Sequence, residues 1–415
     1  MQQKIYFLDK VISATLFIFV IFSMFSISIT QISAGLGGLA WLCRMQLTRT
    51  WADQSWSLGI PFALFALACL IAVVGAYDPS YSYESLKKLL EILVFFWVIN
   101  CARKKHLRDS LIILLIISAT FAGAYGIYQT WNTGVSIVVP DSRVEGTMSV
   151  YMTFAGLLMM VGTFSISRIF FKRPVELWLL PAIGIVSICL LFTLTRQAWL
   201  GISVGIIFML SILQKKILFI FPIILIFLVI IFTDSVRLEI QKLSPPKDDS
   251  FSESLKFRVL RTLDGKDENF HIRIFLWQGG WEVFKDYPLS GCGFRCMDLV
   301  FSQYPDPSGN IEKLRGMHNN LIQLAVDTGV LGLTTWISIW FFFFRLLYKK
   351  TKSLDDDSND HWIIFGSAAT VIAFLMGGFF ETNFYDSEVT MLLYFIMALP
   401  FSGSEQPLPL KHSTS

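Results

Sequence analysis

Residues 217–232 read ILFIFPIILIFLVIIF, with no charged side chain anywhere in the run. A bilayer core of ~30 Å takes a helix of about 20 such residues. The run is one of a series that falls at roughly 11–27, 29–43, 58–76, 88–102, 109–130, 148–168, 176–194, 197–213, 217–233, 319–347, 361–380 and 386–402. Only 16% of the 415 residues are charged and 54% are hydrophobic, where a soluble protein carries about 25% charged residues. The expected fold class is an all-α polytopic membrane protein with about 12 transmembrane helices. Residues 11–43 are too long for one crossing at ~1.5 Å per residue, and SISITQISAGLGG within them predicts a tight reversal between two helices. A cleaved signal peptide is the competing reading of the first run. The expected order is nine helices over 1–233, a large loop over 234–317, three helices over 318–402 and a tail over 403–415.

Lys and Arg fall in alternate connections: Arg44 and Arg49, Arg103 to Arg108, Arg168 to Arg173, Lys215 and Lys216, and Arg345 to Lys352. By the positive-inside rule these connections and both termini are cytoplasmic. The net charge of +3 says less about partners than this placement does. The outward face then holds 77–86, 131–147, the turn at Thr195–Arg196, the segment 234–318 and ETNFYDSE (381–388). Segment 234–318 is far longer than an ordinary loop, which makes it either functional or disordered. Its part LSPPKDDSFSESLKF has the composition of a flexible stretch. DENFHIRIFLWQGGWEVFKDYP instead predicts a helix ending before Pro288, with Ile274, Trp277, Trp281 and Phe284 on one face and Arg273 on the same side. Two readings of that helix stand: one lying at the membrane surface, and one packed over the bundle with Arg273 snorkelling.

Four candidates share the outward side: Arg143, Arg196, Arg273 and His318. Arg196 sits between LLFTLT and AWLGISVG, where burial of an arginine costs on the order of 2–3 kcal/mol. It is read either as a snorkelled or ion-paired residue or as part of an anion site, since planar guanidinium groups grip phosphate oxygens in pairs. His318 opens an apolar helix, in MHNNLIQLAVDTGVLGL (317–333). It is read either as a helix-end polar residue or as a base; a helix N-terminus disfavours the imidazolium, and a neutral ring takes a proton from a hydroxyl. Cys292 and Cys296 lie without other metal ligands nearby; zinc is not expected, and a disulfide is an option in an oxidising compartment. A transporter would spread charges along the membrane interior. Here the spans are nearly free of charge, Glu91 beside Lys87 and Lys88 being the main exception.

RVEGT (143–147), TLTRQAWLG (193–201), HIRIFLWQGGWEVFKDYPLSGCGF (271–294) and MHNNLIQLAVDTGVLGL (317–333) resemble, in this order and spacing, the O-antigen ligase and polymerase superfamily. The resemblance covers about 140 to 345. It implies a multi-pass glycosyltransferase of the bacterial inner membrane with a GT-C-like helical architecture, a large, partly helical periplasmic loop and an active site on the periplasmic side. The implied reaction is metal-independent and inverting. It moves a glycan from undecaprenyl diphosphate to a sugar of the lipid A core oligosaccharide in lipopolysaccharide biosynthesis, and it requires no cofactor and no nucleic acid. The resemblance gives Arg196 and Arg273 the donor diphosphate, His318 the acceptor hydroxyl, and Arg143 a substrate-binding role. Trp277 and Trp281 would then line the path of the polyprenyl chain or sugars, against simple packing. Asn319 and Asn320 would orient His318 or bind a sugar hydroxyl, against capping of the helix start. Gln197 and Ala198 replace a glycine-rich stretch frequent in ligases, and Asp327 stands where glutamate is frequent. The acceptor stays open between ligase, polymerase and protein O-oligosaccharyltransferase.

Overall fold

A computed structural model describes residues 1–133, 143–214, 268–304, 316–355 and 358–403. Among these residues there is no strand. The helices are α1 (Gln2–Phe22), α2 (Ile27–Thr48), α3 (Gly59–Val74), α4 (Pro79–Tyr83), α5 (Ile92–Cys101), α6 (Lys105–Thr133), α7 (Tyr151–Phe171), α8 (Leu179–Phe192), α9 (Arg196–Leu213), α10 (Glu268–Asp286), α11 (Met297–Val300), α12 (Asn320–Ser353), α13 (His361–Gly377) and α14 (Ser387–Ala398). Each apolar run of the sequence falls on a helix except 217–233, which lies outside the described residues, as do LSPPKDDSFSESLKF and the C-terminal tail from 404. Of the helices, α1, α6, α7, α9 and α12 are long and apolar enough to cross a membrane; α3, α8, α13 and α14 are shorter apolar helices.

The chain is a helical membrane protein, and its surface says so. Val74 is 82% exposed and Ile60 75%, on α3 faces that water would penalise and lipid would not. The centre is formed by α7 and α14, apolar all round and buried all round: Thr153 to Ser165 and Val389 to Ala398 are buried without a break.

Two ends of the bundle differ in chemistry. At the end where α13 begins, Arg108 is 2% exposed and pairs with Asp360 at 2.9 Å. Lys105 lies 3.6 Å from the same carboxylate, and Arg168 bonds Glu176 at 2.8 Å. These belong to the basic connections that the sequence places on one side. The opposite end of α13 leads to Glu381, beside His318.

Three boundaries depart from the sequence reading. The first reversal falls at Ser23–Ser26, and SISITQISAGLGG is already helix α2, capped by Ser26. The run expected at 88–102 begins as a 3-10 helix over Glu84–Glu91 before α5 starts. The run at 319–347 is not one straight helix. Gly329 takes φ 61° and ψ −165°, which breaks α12 into Asn320–Thr328 and Val330–Ser353. The groups freed by the break are bonded by the segment after α10. Cys292 N–H donates to Val326 O at 3.0 Å and Gly293 N–H to Asp327 O at 3.1 Å. Val330 N–H donates to Pro288 O at 2.9 Å and Leu331 N–H to Leu289 O at 3.2 Å. A broken helix at membrane depth persists only where such partners replace its own. Only glycine fits, because a Cβ at 329 would stand 2.3 Å from the Leu289 carbonyl oxygen. Cys292 and Cys296 form a disulfide within this clasp, their Cα atoms 5.8 Å apart.

Candidate functional site

The short first half of α12 carries His318 at its head. Asn319 is the N-cap; its side-chain oxygen accepts from Leu321 N–H at 2.9 Å and Ile322 N–H at 3.1 Å. Its amide donates to Phe379 O at 3.1 Å. Asn320, 1% exposed, donates to Asn383 Oδ1 at 2.6 Å and accepts from Phe384 N–H at 3.2 Å. Both asparagines therefore tie the head of α12 to the connection after α13.

His318 itself has φ 45°, a left-handed conformation that costs a non-glycine residue on the order of 1–3 kcal/mol. Its neighbours hold it there. Met317 N–H donates to Gln323 Oε1 at 2.9 Å, and Trp277 Nε1–H donates to Met317 O at 2.8 Å. Gln323 is anchored in turn by donation to both oxygens of Asp327 at 3.1 Å, and Tyr385 O–H donates to Asp327 at 2.6 Å. Asp327 is fully buried.

At the centre of the site stands Glu381. His318 Nδ1 lies 3.1 Å from its Oε1, which also accepts from Thr382 N–H at 3.1 Å. Gln197 Nε2 donates to Oε2 at 3.4 Å, and Arg273 Nη2 lies 4.0 Å from the same oxygen. Burial works against charge on this carboxyl. The His318 hydrogen bond and charge, the Arg273 guanidinium and the Thr382 N–H outweigh it, so the group is held below the ordinary glutamate range. An ionised carboxylate only accepts, so His318 Nδ1 is the donor in this contact and Nε2 is not engaged by Glu381.

Packing explains why these groups meet. Gln197, Gly201 and Gly205 recur every fourth residue on one face of α9. A Cβ at Gly201 would come 2.6 Å from Ala373 O, and one at Gly205 3.2 Å from Ala369 O, both on α13. Small residues let the two helices approach closely, which sets Gln197 beside the connection that carries Glu381. Arg196 is the first residue of α9, one position before Gln197 and just after Leu194 at φ 52°.

The buried residues of α10 are Leu276, Gly279, Gly280 and Val283, with Arg273 in register with Leu276, Gly280 and Val283 at the N-terminal side. The expected stripe of Ile274, Trp277, Trp281 and Phe284 lies to another side of the helix. Trp281 is 58% exposed and stacks on Phe284 at 5.4 Å, away from the packed face, while Trp277 is half-buried against α12. Gly280 fits against Met317, where a Cβ would meet Sδ at 2.6 Å.

The structure thus brings His318 and Arg273 onto one carboxylate, and Arg196 opens α9 one residue before Gln197, which bonds the same group. It does not bring Arg143 to that carboxylate. Its guanidinium lies 4.5 Å over the Tyr151 ring, and its buried Nε has no hydrogen-bond partner among the described residues. Glu381 and Gln323 do not stand out in the sequence, and Gln197 stands out there only as a departure from the ligase pattern. Among the described residues no group of three His, Cys, Asp or Glu could hold a metal ion.

A family model described as O-Antigen ligase matches residues 181–337. The match takes in Arg196, Arg273 and His318 and leaves out Arg143 and Glu381. No curated protein matches the chain.

Proposed function

We infer from the chain's membership of the O-antigen ligase superfamily, a superfamily of membrane glycosyltransferases, that it transfers a polysaccharide from undecaprenyl diphosphate to a sugar hydroxyl of the lipid A core oligosaccharide. The site would face the periplasm from the inner membrane, since the basic connections gather at the other end of the bundle. One observation carries the reading: a single carboxylate, Glu381, holds Nδ1 of His318 on one oxygen and faces Arg273 with the other.

In the proposed step the acceptor hydroxyl oxygen attacks the anomeric carbon of the donor. The new glycosidic C–O bond forms as the bond to the diphosphate breaks, which inverts the configuration. His318 Nε2 takes the hydroxyl proton as general base. Undecaprenyl diphosphate leaves with its charge held by Arg273 and Arg196, whose guanidinium groups match phosphate oxygens in paired geometry. Glu381 stabilises the imidazolium that forms. Asn319, Trp277 and Gln323 hold the His318 backbone in place.

The deciding experiment supplies purified protein in lipid bilayers with the lipid-linked donor and, separately, lipid A core or a second lipid-linked repeat. Glycosylated core, formed without an ion gradient, supports the ligase. Extension of the lipid-linked repeat instead makes the chain a polymerase, a reading that keeps the same catalytic groups. A chain that glycosylates neither acceptor overturns the transfer reading.

A further inference from the structure

The two oxygens of Glu381 are unequally engaged. Oε1 is held by His318 Nδ1 and Thr382 N–H, both at 3.1 Å. Among the described residues, Oε2 has Gln197 Nε2 at 3.4 Å and Arg273 Nη2 at 4.0 Å. Elsewhere in the same molecule arginine–carboxylate pairs close fully: Arg108 to Asp360 at 2.9 Å and Arg168 to Glu176 at 2.8 Å. The Arg273 contact is therefore a loose one, in a place where the side chains of both partners are largely shielded, 19% exposed for Arg273 and 11% for Glu381.

We propose that Glu381 is a built-in counter-ion for Arg273, which the donor diphosphate displaces, and that this displacement couples donor binding to readiness of His318. This rests on the transfer reading given above. A diphosphate carries more charge than one carboxylate and offers a guanidinium two oxygens in matching geometry, so it outcompetes a 4.0 Å contact. Glu381 then keeps only its Oε1 partners. With the guanidinium neutralised by phosphate, the carboxylate acts on Nδ1–H of His318 undiluted, and Nε2 becomes the better proton acceptor. The base is thereby strengthened after the donor has arrived, so the acceptor hydroxyl is activated only when there is something for it to attack. Before that, the same carboxylate keeps a cationic pocket neutral and discourages stray anions.

The test uses full-length protein in nanodiscs and inorganic pyrophosphate as the probe. Glu381→Gln keeps the shape and loses the charge. The expected result is pyrophosphate binding at least threefold tighter than in the unaltered protein, together with slower glycan transfer. Unchanged or weaker pyrophosphate binding overturns the counter-ion role. A second readout needs no substitution at Glu381: with 15N-labelled histidine, added pyrophosphate should move the Nδ1 proton of His318, assigned by its loss in His318→Gln, further downfield. No movement on saturation also overturns the proposal. Arg273→Gln separates the two levels. If it abolishes pyrophosphate binding while Glu381→Gln binds no tighter, the coupling fails and the transfer reading stands. If the unaltered protein binds no pyrophosphate, both fall.

Discussion

His318 Nδ1 and Glu381 Oε1 lie 3.1 Å apart, although 63 residues separate them in the chain and they belong to different connections of the bundle. The contact makes Nδ1 the nitrogen that donates to the carboxylate and leaves Nε2 for the proposed base role. Replacing His318 by Ala is expected to lower transfer by about 10²- to 10⁴-fold, the usual contribution of a positioned base. Donor binding should persist, because the proposed diphosphate contacts lie on Arg273 and Arg196. Single-turnover transfer and donor binding, measured on the same sample, check the two halves of this statement.

Arg273→Gln should act on the donor instead. Loss of a charge-assisted hydrogen-bond pair, about 1.5–3 kcal/mol, raises the donor KM about 10- to 100-fold. Arg273→Lys should fail to restore it, since an ammonium cannot offer the paired donors of a guanidinium. A full rescue by lysine in donor-titration kinetics would contradict the proposed diphosphate contact.

Trp277→Phe removes one hydrogen bond, the donation to Met317 O at 2.8 Å, and keeps most of the packing. The left-handed backbone at His318 loses one of its restraints, so turnover should fall about tenfold with donor affinity unchanged. A matching loss costs about 1 kcal/mol of stability. If turnover and donor affinity fall together, the indole touches substrate and does more than position the histidine.

The helix-forming runs were legible because hydropathy reads burial in lipid directly. The arginines and the histidine stood out because charge and imidazole are rare at such positions. Glu381 did not stand out. In ETNFYDSE it is one acidic residue in a short polar connection, and only the packing of α9 and α13 through Gly201 and Gly205 shows what it faces. The break at Gly329 was hidden for a related reason. VDTGVLGL keeps its apolar character through the glycine, and a lone glycine is tolerated in helices. On α10 the periodicity admitted two faces. The tryptophans drew the eye, whereas the packed face runs through Gly280, which has no hydrophobic signal of its own.

Acid should loosen the basic end first. Glu176 lies in the connection before α8, and partial burial opposes its charge. The hydrogen bonds from Arg168 and Lys172 and their positive charges nevertheless hold its carboxyl down to about 2, from an ordinary 4.5. A depressed carboxylate stabilises the fold above its unfolded value, and the contribution fades as pH falls from about 4.5 towards 2. Thermal unfolding followed across that window should show a falling midpoint. Glu176→Gln should show a lower midpoint at neutral pH and a flatter acid slope.

Gly329→Ala tests the break itself. A methyl group 2.3 Å from Leu289 O, on a backbone at φ 61°, should cost at least on the order of 1–3 kcal/mol. The measurable result is a reduced yield of monodisperse protein in detergent, with the surviving fraction less active.

The clasp between residues 288–293 and the split in α12 also bears on biogenesis. The carbonyls of Val326 and Asp327 receive their partners from a stretch that, in the proposed orientation, is exported before the last three spans are threaded. Newly made α12 therefore cannot settle until that exported stretch has folded back onto it. Translocation of the large connection is in this sense a maturation step for the bundle, and a chain stalled there would display His318, the proposed base, on an unfinished helix.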